Sequence, residues 1–205
     1  MNRNCPICEC SQVMSLHSQR FVLPDGCSLA DSYDVVACRQ CEFVFADTKA
    51  AQADYDAFYA NESKYAGDGY GDDARRFWTV AAELKKWFPD KAARIVDIGC
   101  ANGGLLRALQ DCGYTNLVGV DPAEACAKNA RKVGIETACN LDAVAGQFDG
   151  IILSHVLEHV RDLRRIVVKL YILDAQRVTP LVTEQGDVYY RLSADHLAGV
   201  VDSIT

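Results

Sequence analysis

The sequence predicts an α/β fold with a doubly wound, mostly parallel sheet, preceded by a small cysteine-rich module. Two observations predict the sheet. Apolar runs alternate with amphipathic segments after residue 90, and the first of these runs ends in an acidic residue and a glycine-rich turn. A third observation, two C-x-x-C pairs within the first 41 residues, predicts the module.

The composition is that of a globular protein. The chain has 205 residues, of which 50% are hydrophobic and 24% are charged, so it can form one full domain and a small one. Its formal net charge of −7 argues against a nucleic-acid partner. No apolar run is long enough to span a membrane and no apolar signal core begins the sequence. We therefore expect a cytoplasmic protein whose cysteines are thiols or metal ligands and whose partners include no membrane.

The cysteine pairs predict a zinc ribbon with a structural Zn²⁺. Each pair suits a tight turn that presents two thiolates to one tetrahedral ion, and four thiolates close the coordination sphere. A hairpin fits between the pairs, with strand-like residues 21–23 and 33–37 around the turn at 24–26. A redox pair or plain buried thiols are the alternatives. The predicted ligands are Cys5, Cys8, Cys38 and Cys41, with Cys10 and Cys27 as possible substitutes.

The other cysteines follow the apolar pattern of the second part of the chain and are expected to be small core residues. They are Cys100, Cys112, Cys126 and Cys139.

The chain divides into four segments. Residues 1–45 form the ribbon, 46–71 an aromatic connector or lid, 72–173 the α/β core, and 174–205 a hairpin followed by a helix. The core opens with an amphipathic helix that Pro89 ends. Its strands are expected at 94–98, 116–121, 134–139 and 148–154. Its further helices are expected near 103–112, 122–133 and 157–173.

The turn after the first core strand predicts a nucleotide-like ligand. Gly99 and Gly103 allow the backbone to approach such a ligand closely, and the following helix offers its N-terminus. Asp121, about twenty residues beyond the turn, ends the second apolar run and can accept ribose hydroxyls. Because the carboxylate of Asp97 would repel a pyrophosphate, the pattern favours S-adenosylmethionine, whose amino-acid portion is cationic.

Three motifs, at residues 96–104, 119–122 and 148–160, together resemble the class I S-adenosylmethionine-dependent methyltransferases. The resemblance covers residues 72–172 and implies a Rossmann-like sheet and methyl transfer. It implies contacts to methionine and ribose from Asp97, Gly99, Ala101 and Gly103, with Ala101 standing where many members have glycine. It further implies that Asp121 binds the ribose hydroxyls, that Pro122, Asn140 and Leu141 flank the adenine, and that Ser154 and His155 face the reacting end.

The combination of ribbon and core also resembles bacterial methyltransferases that carry an N-terminal zinc ribbon, including C-methyltransferases of nucleotide-linked deoxysugars. This resemblance implies a small-molecule acceptor, a sugar or another metabolite. The aromatic residues of the connector would either cover the cofactor as a lid or pack the two domains together. They are Tyr55, Phe58, Tyr59, Tyr65 and Tyr70.

Residues His155 to His159 spell H-x-x-E-H, the pattern of an inverted zinc-protease helix. The segment ends an apolar strand, which disfavours that interpretation. His155 or His159 could instead be a general base, since an ordinary imidazole titrates near neutral pH. The segment also resembles the E-x-x-E-H element of ubiquinone-pathway O-methyltransferases, which implies a divalent ion near the acceptor. A third possibility is that Glu158 and His159 only cap the next helix.

After residue 172 the sequence departs from the family pattern, which calls for a fifth strand, a helix and a closing hairpin. The remaining residues predict a hairpin of 178–183 with 188–192 and a helix over 194–203. The hairpin would be a shortened sheet edge, a wing resembling that of ArsR-type repressors, or the product of a rearranged reading frame. This tail leaves open a non-catalytic cofactor-binding remnant or a zinc-dependent regulator with a winged tail. A ribosomal-RNA methyltransferase with a zinc module is the other alternative to a small-molecule methyltransferase.

Overall fold

The computed structural model describes residues 1–62, 74–163, 166, 180–182 and 188–190. Its N-terminal module is an antiparallel sheet of three strands in the order β1-β2-β3. The strands are β1 (Val13–Arg20), β2 (Ser32–Cys38) and β3 (Val44–Asp47). A β-bulge interrupts the pairing of β1 with β2 between Ser15 and His17.

The hairpin expected in the module is present, but its first strand lies earlier than expected. β1 ends at Arg20, so residues 21–23 are outside the sheet. The turn at Pro24 forms as expected, with the Cys27 N–H donating to the Pro24 carbonyl at 3.2 Å. Val36 of β2 and Phe45 of β3 are buried together with Cys5 and Cys38, and these four residues form the small core of the module.

Helix α1 (Gln52–Asn61) lies in the expected connector and contains no buried side chain. Asp54 accepts the Ala51 N–H at 2.7 Å and so closes its first turn. Helix α2 (Ala74–Trp87) is amphipathic and buries Val80, Ala81 and Leu84 against the core. Tyr65 and Tyr70 of the connector lie outside the described residues.

The main sheet is parallel, with strand order β6-β5-β4-β7. All four strands fall where the sequence predicts them. They are β4 (Arg94–Ile98), β5 (Asn116–Val120), β6 (Glu136–Ala138) and β7 (Gly150–Leu153). The crossover helices α3 (Gly104–Asp111) and α4 (Glu124–Lys132) also agree with the expectation.

Both faces of the main sheet are covered by apolar side chains. Successive residues of a strand point to opposite faces, so Ile95 belongs to one buried cluster and Val96 to the other. Leu106 and Leu109 of α3 are completely buried in the first cluster. This doubly covered parallel sheet is the predicted α/β architecture.

The segment after β7 begins differently from the expected helix over 157–173. Leu157–His159 forms a single 3₁₀ turn, and Leu163 and Ile166 are helical. The rest of that helix lies outside the described residues. Further on, β8 (Pro180–Val182) pairs antiparallel with β9 (Val188–Tyr190), in agreement with the expected hairpin. The expected helix over 194–203 lies outside the described residues.

No helix within the described ranges is both long enough and apolar enough to cross a membrane.

Candidate functional site

The glycine-rich turn is a tight loop fixed to the end of the neighbouring strand. The N–H groups of Gly99 and Cys100 both donate to the Val120 carbonyl, at 2.7 and 3.1 Å. Gly99 and Gly103 have φ angles of +78° and +77°, in the left-handed region that favours glycine. A Cβ on Gly99 would also lie 2.6 Å from a methyl of Val156, so the segment after β7 packs directly on the loop.

Ala101 is the strained residue of this loop. Its φ is +45°, a conformation that costs an L-residue with a Cβ about 1–2 kcal/mol. The strain is held by a hydrogen bond of 2.8 Å from the Ala101 N–H to Asp121 Oδ2. The family resemblance implies glycine at this position in many members, and a left-handed backbone is the conformation that favours glycine.

Asp121 connects the glycine loop after β4 to the turn after β5. Its Oδ1 accepts the Ala123 N–H at 2.9 Å, while its Oδ2 accepts the Ala101 N–H. Burial raises the pKa of the Asp121 carboxyl group, although the two N–H donors act in the opposite direction. Each carboxylate oxygen has a second lone pair that can accept a hydroxyl, so the side chain can orient a ribose as well as the loop.

Asp97, at the end of β4, is almost completely buried, with 4% of its surface exposed. Burial, and then repulsion from Asp121, raise the pKa of Asp97 to about 8. A cationic ligand group beside the carboxyl would favour its charged form and lower that pKa again. The position is therefore matched to an ammonium or sulfonium group rather than to a phosphate.

The predicted cofactor residues meet at one edge of the sheet. The carboxyl ends of parallel strands lie at the same edge, where α/β proteins bind their ligands. In the strand order β6-β5-β4-β7, this edge carries Asn140 and Leu141, then Asp121 and Pro122, then the glycine loop, and finally Ser154 and His155. Asn140 also accepts the Ala143 N–H at 2.9 Å and so begins a short 3₁₀ turn.

His155 and His159 are engaged by two different elements. The Arg76 Nη2 of α2 lies 2.7 Å from His155 Nε2, and the Tyr59 hydroxyl of α1 lies 2.7 Å from His159 Nδ1. A guanidinium can only donate, so Nε2 of His155 is the acceptor in its contact. His155 has a φ of +54°, and the two histidines do not share one face of an α-helix as a zinc-protease motif would require. The Glu158 side chain lies outside those described.

The four predicted zinc ligands converge in the N-terminal module. The sulfur atoms of Cys5, Cys8, Cys38 and Cys41 all lie within 4.8 Å of one another. The shortest pairs are Cys8–Cys41 at 3.4 Å and Cys8–Cys38 at 3.5 Å. Zn–S bonds of about 2.3 Å in a tetrahedron place sulfurs about 3.8 Å apart, so the spacing fits zinc. Within the described part of the chain, this is the only His, Cys, Asp or Glu cluster of three or more with such proximity.

The two cysteine turns have the same backbone geometry. The Glu9 N–H donates to the Cys5 carbonyl and the Glu42 N–H to the Cys38 carbonyl, each at 3.0 Å. Both glutamates are left-handed, with φ angles of +59° and +61°. This repeated turn aims two thiol pairs at a common point.

Thiols of the cluster affect one another's pKa, because neighbouring thiolates repel each other. Backbone N–H donors, first that of Cys41, lower the pKa of Cys38 to about 6. The Phe43 N–H favours the Cys41 thiolate, but burial and the neighbouring sulfurs prevail and raise the pKa of Cys41 to about 12. Four adjacent sulfurs cannot all carry charge without a cation, and a divalent ion would remove that repulsion.

The other cysteines lie outside the cluster. Cys10 accepts the Gln12 N–H at 3.3 Å. Cys100 and Cys126 are buried core residues as expected, whereas Cys112 is half-buried. Cys139 is exposed and donates to Glu124 Oε2 at 3.1 Å, so its expected place in the core is wrong.

A family comparison decides what kind of domain carries this site. The methyltransferase domain family matches residues 72–173. Those residues belong to that family. The match confirms the class I S-adenosylmethionine-dependent methyltransferase predicted from the three motifs, and it does not favour the ribosomal-RNA or regulator alternatives.

Curated relatives of the methyltransferase domain are ubiquinone biosynthesis O-methyltransferases. The protein of Dinoroseobacter shibae is 39% identical over 97 residues, which cover 40% of this chain and 39% of that relative. The protein of Bordetella parapertussis is 28% identical over 120 residues, covering 46% of this chain and 49% of the relative. The chain thus spans less than half the length of the curated relatives it matches.

Solved structures confirm the Rossmann-like fold of the methyltransferase domain. One is the 1,6-didemethyltoxoflavin-N1-methyltransferase of Burkholderia thailandensis, with a TM-score of 0.50 and 16% identity. The match covers 84% of this chain and 83% of that structure's chain. Magnesium protoporphyrin IX methyltransferase from Synechocystis PCC 6803 with bound S-adenosylhomocysteine has a TM-score of 0.50 at 15% identity, covering 74% of this chain and 88% of its own. At such identities the likeness concerns the fold alone.

The residues around the two histidines of the methyltransferase domain were only partly predictable. Tyr59 was identified as one of several connector aromatics, without a specific contact. Arg76 and Gln52 carry no motif, because their contacts join residues 79 to 110 positions apart. Gln52 and Tyr59 are seven residues apart, a spacing that places both on one face of a helix. This spacing is the only feature of the sequence that could have indicated that the two residues act together.

Proposed function

We propose that this chain is an S-adenosylmethionine-dependent methyltransferase that acts on a small molecule. The observation that carries the proposal is the arrangement of Asp97, the glycine loop and Asp121 at one sheet edge. Asp97 is suited to a cationic ligand group, and Asp121 to ribose hydroxyls. The intervening glycines allow the backbone N–H groups to approach the ligand.

The cofactor, when bound, supplies an electrophilic methyl group on a sulfonium centre. Asp97, Gly99, Ala101 and Gly103 would hold its methionine and ribose portion, and Asp121 its ribose hydroxyls. The adenine would lie between Pro122 and the Asn140–Leu141 turn. The contribution of these residues is to orient the ligand, because in-line transfer depends mainly on positioning.

The proton of the acceptor would pass to one of the two histidines. The Nε2 lone pair of His155 is used by Arg76, so His155 can take a proton there only when that contact opens. Tyr59 engages His159 through Nδ1 rather than Nε2. We propose His155 and His159 together as the candidate general bases and place Ser154 beside them at the reacting end of the site.

The acceptor class follows from the relatives. Ubiquinone biosynthesis O-methyltransferases modify a small molecule, and the zinc-ribbon resemblance favours a sugar or another metabolite. We propose a small-molecule acceptor bound beside Ser154, His155 and His159. We further propose that the chain functions as a ribbon at 1–45, a connector at 46–71, a core at 72–173 and a C-terminal segment at 174–205.

The zinc site is proposed to be structural. Cys5, Cys8, Cys38 and Cys41 would complete a tetrahedral coordination sphere and leave no open position for a substrate. The ion would replace the repulsion among the thiolates by bonds and would thereby stabilise the ribbon.

Calorimetric titration with S-adenosylhomocysteine tests the proposal. The unmodified chain is expected to bind, and the Asp121→Asn variant to bind at least about tenfold more weakly, because it loses charge-assisted acceptance of the ribose hydroxyls. Asp111→Asn, at the far end of α3, is the matched control and should bind like the unmodified chain. Absence of binding by the unmodified, folded chain would refute the proposed function.

A further inference from the structure

Helix α1 contacts the segment after β7 with one polar face. Gln52 and Tyr59 are two helical turns apart, so both point to the same side of the helix. Gln52 contacts Arg161 and Asp162, and Tyr59 contacts His159. One helix face therefore holds both ends of a four-residue stretch that begins with a proposed catalytic histidine.

The Gln52 contact has the geometry of a helix cap supplied from another element. Its Oε1 accepts the N–H of Arg161 at 2.8 Å and the N–H of Asp162 at 3.0 Å. Asp162 directly precedes the helical residue Leu163, so its N–H is at the helix start and has no partner within the helix, while the Arg161 N–H lies one residue earlier. The Gln52 Nε2 donates to Asp56 Oδ1 at 2.9 Å, which fixes the orientation of the amide.

The N-terminal module holds the same peptide from its other side. Arg3 Nη2 donates to the Arg161 carbonyl at 2.8 Å. Arg161 thus has its N–H bound by the connector and its carbonyl bound by a residue two positions before Cys5. The Arg3 guanidinium also lies over the Phe45 ring, 5.5 Å from its centroid, so its own position is defined.

Polar contacts matter here because α1 is not anchored by a core. None of its side chains is buried, and a half-exposed helix gains little from apolar packing. Tyr59 adds a ring contact with His159, the centroids lying 5.1 Å apart. The placement of His159 relative to α1 is thus determined by a few directional bonds.

We propose that Gln52 is a positioning residue, which caps the Arg161–Asp162 peptides and thereby holds His159 against Tyr59 on the acceptor side of the site. The inference rests on the proposed function, in which His159 lies at the acceptor. Gln52 itself touches neither cofactor nor acceptor. Its removal is expected to loosen the acceptor side and to leave cofactor binding unchanged.

Amide hydrogen exchange measured by NMR tests this role directly. Gln52→Met preserves the length of the side chain and removes the accepting oxygen. Exchange at the Arg161 and Asp162 amides is expected to accelerate by about tenfold or more, because both lose a hydrogen bond. The cross-relaxation between the Tyr59 and His159 rings should weaken in the same variant.

Two further variants separate capping from general damage. Asp56→Ala removes the partner of Gln52 Nε2 but keeps the accepting oxygen, so slow exchange should persist. The double variant Gln52→Glu with Asp56→Asn restores an oxygen at 52 and a donor at 56, and should recover slow exchange and the Tyr59–His159 cross-relaxation. The proposal would be overturned if Gln52→Met left amide exchange at Arg161 and Asp162 unchanged. It would also be overturned if the double variant did not restore slow exchange.

Titration with S-adenosylhomocysteine separates the test of the proposed methyltransferase function from the test of the proposed role of Gln52. All three variants are expected to bind within about twofold of the unmodified chain, because the residues proposed to hold the methionine, ribose and adenine lie in or after strands β4, β5 and β6. Weakened binding in Gln52→Met alone would mean that Gln52 supports the whole site and would contradict an acceptor-side role. If the unmodified chain does not bind, the proposed function fails, while the exchange data still decide whether Gln52 caps the segment.

Discussion

Asp97 is a carboxylic acid side chain in an almost completely buried position. Its carboxyl group is buried at the end of β4 near a second buried carboxyl, that of Asp121, and its pKa rises to about 8. A fold that only needed stability would gain by replacing such a group, since burying a charge is costly. We therefore attribute the position to the proposed binding of a cationic ligand group.

The raised pKa predicts how the stability of the ligand-free protein depends on pH. Between the unfolded pKa of about 4 and the folded pKa of about 8, the folded state holds a proton that the unfolded state has lost. The contribution of Asp97 to the free energy of unfolding is therefore complete below pH 4. It falls as the pH rises towards 8, by up to about 1.4 kcal/mol per pH unit.

Urea unfolding at pH 5, 6, 7 and 8 provides the measurement. Asp97→Asn cannot ionise, so its free energy of unfolding should decline less steeply over this range than that of the unmodified protein. Equal slopes for the two proteins would show that Asp97 ionises normally in the fold.

Functional residues were predictable from the sequence where they belong to a motif with a characteristic spacing. Asp97, Asp121 and the four zinc-ligand cysteines were identified from their spacing, and the structure brings each set together. The Arg76–His155 and Tyr59–His159 contacts were not predictable, because they join elements that meet only after the fold has formed.

At the level of elements, strand β5 and the glycine loop fit together at Gly119. A Cβ at this position would lie 2.6 Å from the Cys100 sulfur, closer than carbon and sulfur can approach. Cys100 is itself buried and belongs to the glycine loop that we propose to approach the cofactor. The absent side chain at 119 therefore sets the depth at which the loop lies on the sheet.

Gly119→Ala is expected to push the loop outward. The free energy of unfolding should fall by about 1–3 kcal/mol, as is usual for overpacking, and the affinity for S-adenosylhomocysteine should fall with it. Chemical denaturation and calorimetry measure the two effects.

The double variant Gly119→Ala with Cys100→Ala provides the control. Removing the sulfur gives the new methyl room, so the pair should lose less stability than the sum of the two single variants. Additive losses would indicate that the two positions do not interact.

Elements were predicted well where burial imposes a pattern. The four parallel strands are buried on both faces and appear in the sequence as apolar runs that end in turn residues. Helix α1 lacks an apolar face, so periodicity gave no sign of it. The strand expected at 21–23 was wrong, because β1 is exposed along most of its length and its sequence shows little alternation.

On the scale of the whole molecule, the module and the main sheet meet at the segment after β7. Arg3 of the module and Gln52 of the connector both bind Arg161, and the Ser28 N–H of the module donates to Glu62 Oε2 at the end of α1, at 3.0 Å. The glycine loop and Asp121 lie on other strands. The hydrogen bonds described for the module thus reach the segment that carries the proposed acceptor-side histidines.

We therefore expect removal of zinc to unfold the ribbon and to leave the binding of S-adenosylhomocysteine almost unchanged. Chelation, or Cys41→Ser, should abolish the binding of one zinc per chain and unfold the ribbon, because a small three-stranded sheet cannot bury enough apolar surface alone. Affinity for S-adenosylhomocysteine should change by less than about threefold, since its ligands lie on the main sheet.

Metal analysis, limited proteolysis of residues 1–45 and calorimetry together measure this effect. Cys10→Ser is the matched control, because Cys10 lies beside the cluster but outside it, and it should retain the metal. Retention of tightly bound zinc by Cys41→Ser would contradict the assigned ligand set.

The left-handed Ala101 has a consequence for the evolution of this loop. Alanine and glycine codons differ only at the second base, so the residue that would relieve a strain of about 1–2 kcal/mol is a single nucleotide substitution away. A library of random variants selected for heat tolerance should therefore return glycine at this position early. Its recovery would mark the loop as an accessible starting point for engineering a more stable protein.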